Sequence, residues 1–270
     1  VEEEAEAMSK ELDPAEIKKR RDFRKVTTFT IDPEDAKDFD DALSVQSLKN
    51  GNLEVGVHIA DVTHYVRPGG RIEEEAIERA TSVYLVDRTI PMLPEVLSNN
   101  LCSLRPNEDR YAFSAVFELD KEGEVVKEWF GRTVIHSDRR FTYAEAQERL
   151  ETGQGDLAEE VQQLNDLAHK MRARRFKAGG IDFDTEEVRF RLDDEGRPVE
   201  VLIKRMLDAN RLIEDYMLLA NVRVAKWISG CKGQRPPGGV YRIHDSPDPT
   251  KLKALRMFVA QFGYKMPDTE

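Results

Sequence analysis

Short runs of β-branched and aromatic residues, separated by turn residues, fill the first half of this chain, and longer stretches with helical spacing fill the second. Residues 27–31 (Thr27-Thr28-Phe29-Thr30-Ile31) read as a strand that runs directly into the acidic segment Asp32-Pro33-Glu34-Asp35-Ala36-Lys37-Asp38-Phe39-Asp40-Asp41. Strands are predicted over 42–46 and 53–60, joined through Asn50-Gly51, a strong hairpin-turn signal. Residues 71–80 read as a short charged helix and 82–86 as extended chain. Two more strand pairs are predicted, 111–119 with 125–135 and 187–192 with 199–203, each around an Asp/Glu/Gly turn. Helices are predicted over 143–151, 157–177, 207–228 and 249–262. Leu212, Met217, Leu218, Val222 and Val224 give the third of these a broad apolar face. Hairpins first and long helices later make the fold class α+β, with a mixed or antiparallel sheet and surrounding helices.

Residues 1–26 are dominated by charge, Glu-rich and then Lys/Arg-rich, with a helix start at Asp13-Pro14. They read as a charged helical linker leading into a single domain over 27–270.

Composition narrows the function classes. With 40% hydrophobic and 34% charged residues the chain is of globular type, and no run of about 18 apolar residues is present that could cross a bilayer. Cys102 and Cys231 are too few for a disulfide framework and lack metal-site spacing, so a reducing, cytoplasmic setting is expected. A net charge of −11 argues at first sight against nucleic acid, because phosphate binding rests on Lys and Arg. The objection is limited, since a basic channel can be local and separate domains can supply non-specific affinity.

The acidic segment changes the picture. Asp32, Asp35, Asp38, Asp40 and Asp41 fall within ten residues, interleaved with Phe39 and flanked by Phe29, Ile31, Ala42 and Leu43. That interleaving ties the segment to a core, whereas a solvated loop would not need it. Clustered carboxylates raise one another's pKa unless a cation offsets the charge, and all-oxygen hard ligands suit Mg²⁺ or Mn²⁺. In a regular strand Asp38 and Asp40 share one face and Asp41 the other, so convergence on one centre requires irregular backbone, which Pro33 favours. An EF-hand is excluded, because no Asp is followed by oxygen ligands at the third and fifth positions and Gly at the sixth. Asp38-x-Asp40 alone also occurs in metal-dependent sugar transferases. The residues by themselves point to a divalent-metal site.

The whole string from Ile31 to Ala42 resembles the opening motif of the RNB catalytic domain of RNase II and RNase R, in its RNase R-like form. The resemblance continues through Val57-His58-Ile59-Ala60-Asp61-Val62, Ser82-Val83-Tyr84-Leu85, Ile90-Pro91-Met92-Leu93-Pro94-Glu95-Val96-Leu97-Ser98 and Leu101-Cys102-Ser103-Leu104. Later come Gly179-Gly180-Ile181-Asp182-Phe183, Leu212-Ile213-Glu214-Asp215-Tyr216-Met217 and Tyr241-Arg242-Ile243-His244-Asp245. Any one of these is short; their order along the chain is specific.

The resemblance implies a hydrolytic, processive 3'-to-5' exoribonuclease that releases 5'-nucleoside monophosphates from the 3' end of single-stranded RNA. It implies that Asp32, Asp38 and Asp41 hold Mg²⁺ (or Mn²⁺) and that Asp40 serves the chemical step. Asp35 is a lower-ranked acid. Tyr84 and Phe183 fall where the family places base-stacking aromatics, and Glu214 where it places an acid against the terminal nucleotide. A non-catalytic RNA-binding relative that kept the fold is the alternative; intact motif acids favour the enzyme. The family also implies flanking cold-shock and S1-type domains in the parent protein. A downstream Ser-Pro-x-Arg-Arg-Tyr segment, whose arginine stabilises the transferring phosphate, is not matched by Ser246-Pro247-Asp248-Pro249. The chain is therefore expected to hold about three quarters of the catalytic domain and to show little activity alone.

Other polar residues carry plainer readings. His58 reads as a satisfied core histidine, Asp61 and His64 as supports of the acidic loop, and both cysteines as small apolar fillers. Arg172, Arg174, Arg175 and Lys177 form a basic helix end suited either to RNA phosphate or to the helix dipole.

Overall fold

The computed structural model describes residues 1–8, 11–181, 187–193, 195–231, 238–239, 241 and 243–267. Among the described residues, eleven strands lie in chain order: β1 (Arg21–Asp22), β2 (Thr28–Asp32), β3 (Asp41–Ser47), β4 (Leu53–Ala60), β5 (Val83–Tyr84), β6 (Thr89–Ile90), β7 (Asp109–Leu119), β8 (Val125–His136), β9 (Arg139–Thr142), β10 (Glu187–Leu192) and β11 (Pro198–Lys204). The helices are α1 (Glu2–Glu6), α2 (Pro14–Ile17), α3 (Val62–Tyr65), α4 (Arg71–Arg79), α5 (Tyr143–Thr152), α6 (Ala158–Lys177), α7 (Asp208–Gly230) and α8 (Pro249–Ala260), with a π-helical turn at Leu97–Leu101.

Seven strands form one mixed sheet in the order β1-β8-β7-β4-β3-β2-β9. Its centre is a meander of antiparallel neighbours, while β9 adds parallel to β2 and β1 parallel to β8 at the two edges. The Asn50-Gly51 turn closes β3 onto β4 as expected, with Gly51 at φ +85°. β5–β6 and β10–β11 are separate hairpins.

Alternation along the strands divides the apolar side chains between two cores. Leu43, Val45, Val55, Val57, Ala115 and Phe117 face one side, where Ala146, Val161, Leu164, Leu167, Leu212 and Tyr216 of α5, α6 and α7 cover them. Ala42, Ala60, Ala112 and Val116 face the other, against Phe23, Ile72, Leu97, Leu101 and Leu104. The sheet is thus covered on both faces. α5 opens with a reciprocal capping box, Thr142 accepting from the Glu145 amide and Glu145 accepting from the Thr142 amide.

Residues 1–26 do not behave as a linker throughout. Ala5 and Phe23 are buried in the second core, and β1 joins the sheet edge. Arg20 is buried as well, 2.8 Å from Asp61 and with its guanidinium 4.2 Å from the centre of the Tyr111 ring. Three isolated anchors in a highly charged run leave no periodic signal in the sequence, and the partners of Arg20 and β1 lie about 40 to 110 positions away.

The buried stripe of α7 also differs from expectation. Ala209, Leu212, Ile213, Tyr216 and Ala220 are buried, whereas Val222 is half exposed. The register is set by α6, where Tyr216 donates its hydroxyl to the Leu164 carbonyl at 3.0 Å.

The chain divides into two units, residues 1–224 and 225–270. The second holds the end of α7 and α8, which starts with Asp248 accepting from the Thr250 amide at 2.8 Å.

Candidate active site

The acidic segment leaves the sheet at the end of β2 and re-enters it at the start of β3. Pro33 interrupts the strand, and residues 33–40 follow an irregular path held by side chains from elsewhere. At its first end Arg140 of β9 donates to the carbonyls of Pro33 and Glu34, the latter at 3.0 Å, and places its guanidinium 5.5 Å from the Phe39 ring centre. At its second end the Ser103 hydroxyl accepts from the Phe39 amide at 2.9 Å and donates to the Lys37 carbonyl at 3.1 Å. The Leu104 amide donates to the Phe39 carbonyl at 2.7 Å, and the Ala60 amide to the Asp40 carbonyl at 2.9 Å. Phe39 packs against the second core. This is the irregular backbone that convergence of the acids requires.

The electrostatics join the four acids. Asp32 is buried, accepts a 2.5 Å hydrogen bond from Thr30, and is pushed up to about 7 by burial, with the charges of Asp41 and Asp38 adding and Thr30 and Arg140 opposing. Asp40 is exposed at its surface, yet removal from water together with the charges of Asp38 and Asp41 pushes it up to about 6. Burial raises Asp41 too. Folded values above the unfolded ones mean that the fold favours the protonated acids. That contribution is full below about pH 4 and is lost as the pH rises through 6 to 7. At neutral pH the loop therefore carries unrelieved repulsion.

Hard oxygen donors, mutual repulsion and one opposing guanidinium fit a divalent cation as donor chemistry. Among the described residues, no three His, Cys, Asp or Glu side chains are grouped closely enough to hold an ion. The donors thus suit the cation by their chemistry, while their present arrangement does not close around one.

Tyr84 sits on the β5–β6 hairpin beside the loop. The residue is 70% exposed, and partial burial of the hydroxyl together with the charges of Asp38 and Asp40 raises its pKa. A cleft of about 380 Å³ runs between Asp35, Lys37 and Asp38 on one side and Ser82, Asp87 and Arg88 near the hairpin on the other. Charge coupling thus links Asp32 and Asp40 each to Asp38 and Asp41, and Tyr84 to Asp38 and Asp40. Glu214 stands on the exposed side of α7, 3.9 Å from Arg175, and no hydrogen bond or ion pair joins it to the acidic loop among the described residues. Phe183 lies outside the described residues.

Neighbouring polar residues resolve clearly. His58 is fully buried, its ring nitrogens 2.6 Å and 2.8 Å from the Ser114 and Ser44 hydroxyls, and burial pushes it down to about 3, so it is neutral. A Cβ at Gly56 would lie 2.5 Å from that ring, which is why glycine stands there. Asp61 binds Arg20 at 2.8 Å and Arg132 at 3.4 Å, fastening the N-terminal segment. Its amide, one residue after Ala60 at the Asp40 carbonyl, bonds to Tyr111, so Asp61 backs the loop from behind. Burial pushes the Cys102 thiol up to about 12, with Asp40 and Asp61 adding, which makes it an inert filler.

Three arginines at the basic end of α6 also find partners within the protein. Arg172 and Arg175 converge on buried Asp215 at 2.7 Å and 2.8 Å, and Arg174 caps the β7–β8 turn through the Gly123 carbonyl at 2.7 Å. Reasoning from sequence missed Arg140 and Ser103 as site residues. Arg140 carried no signal, while Ser103 lay in plain view within a motif without a role.

A family model described as RNB domain matches residues 20–268. DIS3-like exonuclease 2 from Schizosaccharomyces pombe is 46% identical over 265 residues, covering 92% of this chain and 28% of that protein. Among solved structures, RNase R from Mycoplasma genitalium in complex with ribose methylated single-stranded RNA superposes with a TM-score of 0.89 at 30% identity, over 100% of this chain and 42% of that one. Yeast Ssd1, described as a pseudonuclease, superposes with a TM-score of 0.76 at 22% identity, over 96% of this chain and 32% of that one, a likeness of fold alone.

Proposed function

The chain belongs to the RNB domain family, and we propose that it forms the hydrolytic centre of a divalent-metal-dependent 3'-to-5' exoribonuclease acting on single-stranded RNA. The observation that carries this reading is the acidic loop, with four carboxylates in mutual electrostatic reach and three of them raised. Asp32, Asp38 and Asp41 would hold Mg²⁺ or Mn²⁺. A bound hard cation supplies Lewis-acid stabilisation of charge on the phosphate.

The remaining work falls to this chain's own side chains. Asp40, exposed and near half-ionised at about pH 6, orients the attacking water and takes its proton. The P–O bond to the 3' oxygen of the preceding nucleotide breaks, that oxygen gains a proton from solvent, and a 5'-nucleoside monophosphate leaves. Tyr84 offers its exposed ring to a base, a contact worth about 1–3 kcal/mol that tolerates any sequence. Glu214 and Phe183 belong to this reading as contacts to the terminal nucleotide.

Because the chain spans about a quarter to two fifths of the relatives it matches, flanking nucleic-acid-binding domains of cold-shock and S1 type belong to the same proposal. They would supply the affinity that a net charge of −11 does not. A non-catalytic reading is supported only by the fold likeness to a pseudonuclease, and the intact acids weigh against it.

The test compares linear and circular single-stranded RNA of one sequence in Mg²⁺, using the full-length protein. Release of 5'-monophosphates from the linear form alone is expected. Cleavage of the circle, or binding without product, contradicts the proposal.

A further inference from the structure

We propose that Ser103 is a positioning residue for Asp38, setting the metal-binding form of the acidic loop through a double hydrogen bond around that residue. The inference rests on the reading of the loop as a metal centre. It adds a residue to which the comparisons assign no role.

Ser103 has no exposed surface, and its hydroxyl bridges the Lys37 carbonyl and the Phe39 amide, the two backbone groups on either side of Asp38. The next bond along, from the Leu104 amide to the Phe39 carbonyl, extends the clamp. A chain leaving a strand through Pro33 has no ladder partner for these groups, so a buried hydroxyl that both donates and accepts is the smallest side chain that satisfies both.

The clamp is itself anchored. The Ser103 amide donates to the Asn100 carbonyl at 3.0 Å at the end of the π-helical turn, a feature frequent near functional sites. Buried Arg110 donates to the Ser103 carbonyl at 3.0 Å and to the Asn100 carbonyl at 3.2 Å. Ser103 is therefore fixed from behind, and the loop is the part that adapts. Alanine at this position would strand a buried amide and a carbonyl, which would relax by turning the Lys37–Phe39 backbone and with it the Asp38 carboxylate.

The test uses the full-length protein with Ser103→Ala and Ser103→Thr, the second keeping the hydroxyl. Mn²⁺ binding is read by electron paramagnetic resonance without RNA, and turnover is read across a Mg²⁺ series. For Ser103→Ala, Mn²⁺ affinity is expected to fall about tenfold or more, as for other residues that orient metal ligands. The kcat at limiting Mg²⁺ should fall with it and recover in excess Mg²⁺, while KM for RNA stays within about twofold. Ser103→Thr should restore Mn²⁺ affinity.

Unchanged Mn²⁺ affinity in Ser103→Ala overturns the proposal. So does a loss of Mn²⁺ and RNA affinity together with melting temperature that Ser103→Thr shares. A wild-type protein that binds no Mn²⁺ overturns the metal-centre reading itself, and this inference with it.

Discussion

Asp40→Asn is expected to lower the rate of RNA hydrolysis by about 10³-fold or more, close to 4 kcal/mol of transition-state stabilisation, with RNA affinity held within about twofold. The amide keeps the size and one acceptor oxygen but cannot take the water's proton. Asp40 suits this role because it is the exposed member of the set, raised to about 6 by removal from water and by Asp38 and Asp41. Near neutral pH it is mostly ionised and still basic enough to accept a proton. Its neighbour Asp35 lines the cleft beside Lys37 and Asp38; Asp35→Asn is expected to leave turnover within about threefold. Single-turnover rates on 5'-labelled RNA separate the two. Equal effects at both positions would show that net acidity, not place, is what matters.

The second large effect concerns stability. Asp215→Ala is expected to destabilise the chain by about 3–5 kcal/mol, because it removes the buried carboxylate that two guanidinium groups share between α6 and α7. Asp215 is 3% exposed and takes Arg172 and Arg175 at 2.7 Å and 2.8 Å. Glu214→Gln, one position away on the exposed side of the same helix, should change stability by less than about 0.5 kcal/mol. If Glu214 contacts RNA, its substitution appears in KM alone. Chemical denaturation of both variants reads the contrast directly. A stable Asp215→Ala protein would mean that the two arginines reach solvent or other partners without cost.

The sequence was most legible where local chemistry decides structure. The strand at Leu53–Ala60 carries its alternation in plain view, the Asn50-Gly51 turn fixes its pairing with β3, and α5 and α6 carry helical period, α5 with a capping box at its start. The acidic loop was legible for a different reason, since carboxylates that crowded make physical sense only with a cation.

What escaped was long-range. Strand β9 is a four-residue segment with two arginines and no alternation, and it becomes a strand only because β2 accepts it in parallel register from 110 positions away. With β9 went Arg140, the cation that holds the loop's first end. Phe23 and Arg20 were hidden in the same way, single buried residues in a charged run. Arg172 and Arg175 looked like a basic surface because Asp215, the acid they meet, lies 40 or more positions downstream. Sequence reports which groups are present and, through period, which way they face. It reports pairing only when the partner is close in the chain.

The most direct test of the central claim, that the loop is a cation site, is a calorimetric titration of Mn²⁺ into the full-length protein. It is run without RNA at pH 6.5 and 8.5, in two buffers of different ionisation enthalpy. Asp32 at about 7 and Asp40 at about 6 hold protons at the lower pH that a cation must displace. Binding should therefore release protons at pH 6.5, release few at pH 8.5, and tighten as the pH rises. Asp32→Asn should lose most of the proton release and at least about tenfold in affinity. Absence of Mn²⁺ binding, or binding with the same affinity and proton release in Asp32→Asn, would contradict the account.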